Sequence, residues 1–192
     1  SVPASVPTPR VSGTSSWALD FAKPDSVVGW RAVNDSVMGG RSQSWFRHSL
    51  AAEAATFGGT LSAERNGGFA SVSVRFATAL DLAAFHGLEL LCVCCCSDRQ
   101  RYKLQLRGCE RDGISYQQDF FPPSGRLGKV RLPFSQMVPT FRGRVVDRAG
   151  PLDTSSLFSV GLMLSKLTEL GHPNPQFREG AFELIVKSIS AW

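Results

Sequence analysis

The chain has 192 residues, of which 43% are hydrophobic and 19% charged, so it can bury a sizeable core and is not disordered overall. Its formal net charge of +5 favours acidic partners, and no apolar run reaches the roughly 18 residues that a membrane-spanning helix needs. The 18 glycines, 11 prolines and 13 phenylalanines indicate many turns and many buried rings, which is typical of an all-β domain.

Residues 1–16 are predicted to form a flexible tail ahead of a single domain at residues 17–192. The tail is rich in serine, proline, valine and threonine, and Arg10 is its only charged residue. This composition is typical of a linker, and it is also what a processed targeting peptide would leave behind. The same composition does not distinguish a mitochondrial from a plastid peptide.

The body of the chain alternates between strand-like runs and turn residues. Residues 69–76 show the clearest period-two pattern, with Val72, Val74 and Phe76 predicted to face the core. A short helical turn is predicted at residues 79–86. The other predicted strands are residues 17–21, 43–48, 54–61 with a bulge at Gly58-Gly59, 88–96, 101–107 with Lys103 facing outward, 114–120, 127–132, 157–164 and 181–189. About ten strands with little helix indicate an antiparallel β-sandwich or jelly roll.

The least generic segment spans residues 30–42. Asn34 and Asp35 can turn their short side chains back onto nearby backbone N–H groups and form a tight turn. The Gly-Gly pair that follows allows backbone angles that other residues avoid, and two apolar residues between these pairs offer a plug into the core. We therefore predict a shaped loop that is fixed to the core.

Positive charge is concentrated in two segments. Residues 126–148 hold six arginine and lysine residues against Asp147 alone, and residues 98–112 hold five against three acidic residues. Such patches attract nucleic acid, anionic lipid headgroups or acidic protein surfaces. Nucleic acid is the least favoured partner, because aromatic and basic residues are not interleaved as in known binding signatures. An RNA-binding factor in organelle translation remains an alternative that rests only on these segments.

No catalytic, cofactor or metal site is predicted. Four of the five cysteines lie within residues 92–96 of one strand, where they make poor disulfide partners, so we interpret them as small buried hydrophobic residues in a reducing compartment. His48, His86 and His172 lack paired-ligand spacing, and no phosphate loop, dinucleotide fingerprint or nucleophile elbow is present. The sequence therefore predicts a protein that is not an enzyme.

The four tryptophans support an alternative of another class. Trp17, Trp30, Trp45 and Trp192 could line a sugar-binding face on a jelly roll, since aromatic rings stack well against apolar surfaces. A carbohydrate-binding module of this kind requires tryptophans that are exposed beside polar groups.

Short motifs follow one another in order between residues 17 and 189. They are Trp30, Asn34-Asp35, Val37-Met38-Gly39-Gly40, Ser42, and the segments 57–62, 67–71, 102–107, 116–117, 130–134, 138–144 and 180–184. This series resembles the signature of the complex I intermediate-associated protein 30 family. Two positions depart from that signature: residues 97–99 read Ser-Asp-Arg where the family often has Gly-Asp-Gly, and residues 127–128 read Leu-Gly where it usually has a tryptophan.

The resemblance implies a galactose-binding-like β-sandwich without catalytic residues. It also implies an assembly factor, or a bound accessory or scaffold subunit, of respiratory complex I on the matrix side of the inner mitochondrial membrane. Related plastid proteins help to build photosystems, so the stromal side of the thylakoid is the alternative location. The expected partners are subunits or assembly intermediates of a membrane-embedded electron-transfer complex, with anionic lipid headgroups as a further contact.

We predict that the 34–42 loop and the basic loop at 138–148 form one docking surface. In this hypothesis the arginines meet acidic protein or anionic headgroups. The predicted protein-binding residues are Asn34, Asp35, Met38, Arg41, Arg142, Arg144 and Arg148. Burial of Asn34 and Asp35 would favour a purely structural role for that loop.

Overall fold

Period-two alternation places most of this chain in strands, and the computed structural model describes residues 16–94, 100–108 and 113–192. In these residues the chain forms thirteen strands, with helix limited to four 3₁₀ segments, Pro24–Val27, Asp35–Met38, Glu64–Asn66 and Phe134–Gln136. The strands are β1 Ala18–Asp20, β2 Arg31–Asn34, β3 Gln43–Ser49, β4 Ala54–Leu61, β5 Phe69–Leu80, β6 Gly87–Cys94, β7 Tyr102–Arg107, β8 Ser115–Phe120, β9 Gly128–Pro133, β10 Val138–Phe141, β11 Arg144–Val145, β12 Leu157–Ser165 and β13 Gly180–Ala191.

The strands form two antiparallel sheets that enclose the core. One sheet has the order β3-β4-β13-β6-β9, with β1 also paired to β13, and the other has the order β11-β10-β8-β7-β12-β5-β2. The core side chains include Val72, Val74 and Phe76 of β5, as the alternation predicted. Each apolar side chain buried in this way contributes about 1.5–3 kcal/mol to folding. The prediction of an all-β antiparallel sandwich is confirmed.

The predicted helical turn at residues 79–86 is wrong. Strand β5 continues to Leu80, which pairs with Leu157 of β12, so its first residues belong to the sheet. The Asp81 side chain then accepts the Ala83 N–H at 2.9 Å, and one tight turn follows. Pairing with β12 satisfies the backbone hydrogen bonds of β5 through residue 80. The remaining residues, 81–86, are too few to nucleate a helix.

The basic loop predicted at residues 138–148 contains a β-hairpin. Strand β10 pairs with β8 and turns back into β11 through Arg142 and Gly143. These two residues have φ of 51° and 77°, and two consecutive left-handed residues are the signature of a type I′ turn. Arginine is not a usual residue for that conformation, so the sequence did not indicate the hairpin.

The glycines at positions 58 and 59 do not form the predicted bulge. The pairing of β4 with β3 and with β13 runs without a register shift through both positions. A Cβ on Gly58 would lie 2.5 Å from the Trp45 ring, and a Cβ on Gly59 would lie 2.0 Å from the backbone oxygen of Gln43. The absence of side chains thus allows β3 to approach β4 closely.

Replacing Gly59 by alanine is expected to destabilise the sandwich by about 1–3 kcal/mol, because the new methyl group collides with backbone that cannot move alone. Chemical denaturation measures the change. Gly150→Ala is the matched control, since no atom lies within 4 Å of the Cβ it would gain, and it should change stability by less than about 0.5 kcal/mol. Equal stability of the two variants would contradict the close-approach role.

Candidate functional site

The 30–42 segment is organised around the buried carboxylate of Asp35. Asp35 directly follows strand β2 and is the first residue of the 3₁₀ segment Asp35–Met38. Its exposed fraction is 0%. One carboxylate oxygen accepts the Ser42 N–H at 2.9 Å. The other accepts the Ser42 hydroxyl at 2.6 Å, the Gly68 N–H at 2.7 Å and the Phe69 N–H at 3.3 Å. Three distant parts of the chain therefore meet on one side chain.

The surroundings of Asp35 explain one glycine in each of the two Gly-Gly pairs near it. A Cβ on Gly40 would lie 2.4 Å from the Asp35 carboxyl carbon, and a Cβ on Gly67 would lie 2.5 Å from its oxygen. Burial alone would raise the pKa of Asp35, but the hydrogen bonds from Ser42, Gly68 and Phe69 outweigh it and hold that pKa below the ordinary value. Asp35 is thus a charged structural centre with no oxygen left for a partner.

Asn34 joins strands in the same way. Its side-chain oxygen accepts the Ser44 hydroxyl at 2.6 Å and the Ser71 N–H at 3.3 Å, which ties β2 to β3 and β5. Arg41 is exposed and forms an ion pair with Glu64 at 2.9 Å. The side chain of Met38 lies outside the described part of the structure. Asp35 is therefore buried, as expected for a structural role, and the half-buried Asn34 joins three strands through its side-chain oxygen.

The β10–β11 hairpin and the residues just after it carry the other predicted protein-binding residues. Arg142 and Arg144 are exposed at its turn, and Arg148 is exposed just beyond β11. The guanidinium of Arg142 lies 5.3 Å from the ring centre of Phe141, whose exposed fraction is 44%. Among the described residues, none of these three arginines has an ion-pair partner. The hairpin therefore combines free positive charge with an exposed aromatic ring, which the sequence patterns did not reveal.

The structure does not bring the two predicted loops together. Strand β2 and strand β11 are the opposite edges of the seven-stranded sheet, with five strands between them. The single docking surface of the sequence hypothesis is therefore two separate surfaces at opposite edges of this sheet.

Part of the basic segment 126–148 is already neutralised. Lys129 and Arg131 of β9 each approach the carboxylate of Glu89 to 2.8 Å, and together they lower the pKa of Glu89. The Arg131 guanidinium also lies 4.6 Å from the ring centre of Trp192. Within this segment, the arginines without an ion pair to another described residue are Arg126 and the three arginines of the hairpin.

A buried charge cluster covers part of the outer face of the seven-stranded sheet. Lys103 faces away from the core as predicted, but its side chain is only 3% exposed, and its amino group lies 2.5 Å from Asp119. Arg101 approaches the same carboxylate to 3.1 Å, and the backbone N–H of Glu169 donates to it at 3.1 Å. Burial lowers the pKa of Lys103, and Asp119 partly opposes this. The loop after β12 covers Lys103, and strand periodicity cannot indicate such a cover.

The tryptophans do not form the sugar-binding face that the alternative requires. Trp17 and Trp30 are buried in the core, and Trp45 and Trp192 are half-buried. Trp45 lines an open groove of about 400 Å³ on the outer face of β3, β4 and β13, together with Gln43, Thr60 and Glu183. The Arg47 guanidinium lies 5.0 Å from the Trp45 ring centre and covers part of it.

The cysteines and histidines show no arrangement for chemistry in the described ranges. Cys92 and Cys94 are buried, as predicted for small hydrophobic residues, and burial raises the pKa of Cys92 to about 12. Cys95, Cys96 and Cys109 lie outside those ranges. No group of three or more potential metal ligands occurs in residues 16–94, 100–108 and 113–192.

None of the helices in the described ranges has the length and hydrophobicity required to span a bilayer.

Comparison with known proteins supports the resemblance seen in the motifs. The sequence profile of the complex I intermediate-associated protein 30 family matches residues 19–186. An uncharacterized protein of Schizosaccharomyces pombe is 32% identical over 188 residues, which cover 89% of this chain and 82% of that protein.

Among solved structures, the fold is similar to carbohydrate-binding modules. A family 11 module of Clostridium thermocellum in complex with a β-1,3-1,4-mixed-linked tetrasaccharide aligns with a TM-score of 0.66 at 12% identity, over 92% of this chain and 94% of the module. An exo-β-agarase aligns with a TM-score of 0.54 at 11% identity, over 91% of this chain and 25% of the enzyme. At these identities the similarity establishes the fold alone.

Asp35→Asn is expected to destabilise the protein by about 3 kcal/mol at neutral pH, because an amide group then faces backbone donors. Since the pKa of Asp35 in the folded protein lies below the ordinary value of 3.8, its carboxylate stabilises the fold above that pH. The stability difference between wild type and variant should therefore shrink as the pH falls below about 4. Denaturation curves measured across this range test both statements.

The control for Asp35→Asn is Glu64→Gln, which removes the carboxylate of an exposed ion pair and should cost less than about 0.5 kcal/mol. A neutral effect of Asp35→Asn, or a stability difference that does not depend on pH, would contradict the role assigned to the buried carboxylate.

Proposed function

The chain belongs to the complex I intermediate-associated protein 30 family, and from this premise we propose that it is a non-enzymatic protein-binding module in the assembly of a membrane redox complex. The complex is of the respiratory complex I type, and the chain acts on it as an assembly factor or as a bound accessory subunit. The family match over residues 19–186 is the observation that supports this function most directly. The proposed location is organellar, at the matrix side of the inner mitochondrial membrane, with the stromal side of the thylakoid as the alternative.

The docking surface in this proposal is the arginine hairpin, defined as residues 138–148. Its arginines Arg142, Arg144 and Arg148 are exposed and unpaired within the described residues, and an unpaired charge can meet an acidic surface without first losing an internal partner. Asp35, in contrast, is entirely engaged inside the fold. The 34–42 loop therefore supports the scaffold, and its exposed Arg41 is already ion-paired with Glu64.

Charge reversal at Arg142 and Arg144 is expected to reduce co-migration of the chain with the large membrane complex on native gels by roughly tenfold, because attraction becomes repulsion. The gel band of the complex is probed for the chain after solubilisation of organellar membranes. Both side chains are exposed, so thermal unfolding of the purified variant should match wild type.

Arg41→Glu is the matched control for that experiment. It also reverses an exposed arginine, but at the opposite edge of the seven-stranded sheet. The proposal predicts near-normal co-migration for this variant. Unchanged co-migration of the Arg142→Glu/Arg144→Glu variant would contradict docking through the hairpin.

Saccharide binding is a second candidate function, and the groove beside Trp45 favours it. The groove offers a half-buried indole next to the amide of Gln43, the hydroxyl of Thr60 and the exposed carboxylate of Glu183. An aromatic ring flanked by hydrogen-bonding groups suits a sugar. Arg47 already covers part of the ring, and for this reason the candidate ranks second.

The second candidate predicts that the mixed-linked tetrasaccharide bound by the family 11 module quenches or shifts tryptophan fluorescence of this chain. Trp45→Phe should abolish the response, whereas Trp192→Phe, which alters a half-buried indole outside the groove, should preserve it. An unchanged spectrum of the wild-type chain at saturating sugar would exclude this use of the groove.

A further inference from the structure

Two turns lie side by side at one corner of the sandwich. The first is the tip of the arginine hairpin, and the second is the turn at residues 168–172, closed by a hydrogen bond from the Gly171 N–H to the Thr168 oxygen at 3.0 Å. A Cβ on Gly171 would lie 3.0 Å from the backbone oxygen of Gly143, and a Cβ on Gly143 would lie 3.1 Å from a methyl group of Leu167. The two turns therefore pack directly against each other.

Each turn exposes a large apolar side chain beside positive charge. Phe141 is 44% exposed and Leu170 is 51% exposed. Exposed apolar patches rimmed by polar residues mark interaction sites. Arg142 and Arg144 flank Phe141. The nearby acidic side chains are Asp147 and Glu169, and Glu169 is engaged with the backbone of Asp119. The corner thus combines two apolar tips with two arginines, and Asp147 is the nearby carboxylate that is not engaged in this way.

We propose that this corner, named here the paired-turn tip and consisting of residues 141–144 and 168–172, inserts into the surface of an anionic bilayer. Apolar tips flanked by arginine are the arrangement that an interface of acyl chains and negative headgroups accepts, because the apolar side chains leave water while the guanidinium groups remain at the phosphates. An acidic protein surface without apolar pockets would satisfy the arginines but would leave the two apolar tips in water. The inference rests on the proposed function, since a chain that works at a membrane complex has a bilayer beside its docking surface.

The expected strength follows from general magnitudes. Each arginine near an anionic surface contributes about 1 kcal/mol, which corresponds to about fivefold in binding. Partial burial of the Phe141 and Leu170 side chains should together contribute about tenfold. Binding should therefore be measurable on anionic vesicles, weak on neutral vesicles and reduced by salt.

The test is co-sedimentation of the purified chain with phosphatidylcholine vesicles and with vesicles containing equal parts of phosphatidylcholine and phosphatidylglycerol. Wild type should bind the anionic vesicles and should bind the neutral vesicles only weakly. Phe141→Ala/Leu170→Ala should weaken binding about tenfold, and Arg142→Ala/Arg144→Ala about 25-fold. Leu50→Ala is the matched control, since Leu50 is 77% exposed in the turn between β3 and β4, and it should bind as wild type does.

Three results would overturn the inference. These are absence of wild-type binding to anionic vesicles, equal loss of binding in Leu50→Ala, and full binding of Phe141→Ala/Leu170→Ala. Because the vesicles contain no protein, failure here together with arginine-dependent co-migration on native gels would identify an acidic protein surface as the hairpin's partner and would leave the proposed function intact. Failure of both assays would remove the proposed function as well.

Discussion

The buried carboxylate of Asp35 is the interaction on which the rest of this structure depends. Its four hydrogen bonds join the end of β2, the approach to β3 and the start of β5, three segments that are far apart in sequence. A buried charge is tolerated only when such donors surround it, so the loss of any of these donors is costly. Glycines at positions 40 and 67 leave the space that the carboxylate needs. This corner anchors the edge of the seven-stranded sheet.

The opposite edge of that sheet is the β10–β11 hairpin. Its two-residue turn carries exposed arginines beside an exposed aromatic ring, and these arginines form no ion pair with other described residues. The division is physical: a residue whose hydrogen bonds are all internal cannot serve a partner, whereas an exposed unpaired guanidinium can. The scaffold and the proposed docking surface therefore lie at opposite edges of the seven-stranded sheet, although their motifs lie in one ordered family series.

Local patterns predicted what depends on local geometry. Alternation correctly oriented Val72, Val74 and Phe76, and it also placed Lys103 on the outer face. It could not predict that Lys103 is buried, because the loop that covers it comes from Glu169, far along the chain. The separation of Asp35 from the hairpin was equally hidden, since strand order is set by long-range pairing. The I′ turn at Arg142 was missed because it uses a residue that is rare in that conformation.

The proposed function depends on a partner, so the decisive measurement identifies that partner. The full chain is expressed with an affinity tag in its native cells, and organellar membranes are solubilised mildly. Complexes that contain the tagged chain are then captured, and their subunits are identified by mass spectrometry. Co-recovery of several subunits of a complex I-type enzyme or of its assembly intermediates is the predicted result. Recovery of the chain without any subunit of a membrane redox complex, under conditions in which that complex remains intact, would contradict the proposed function.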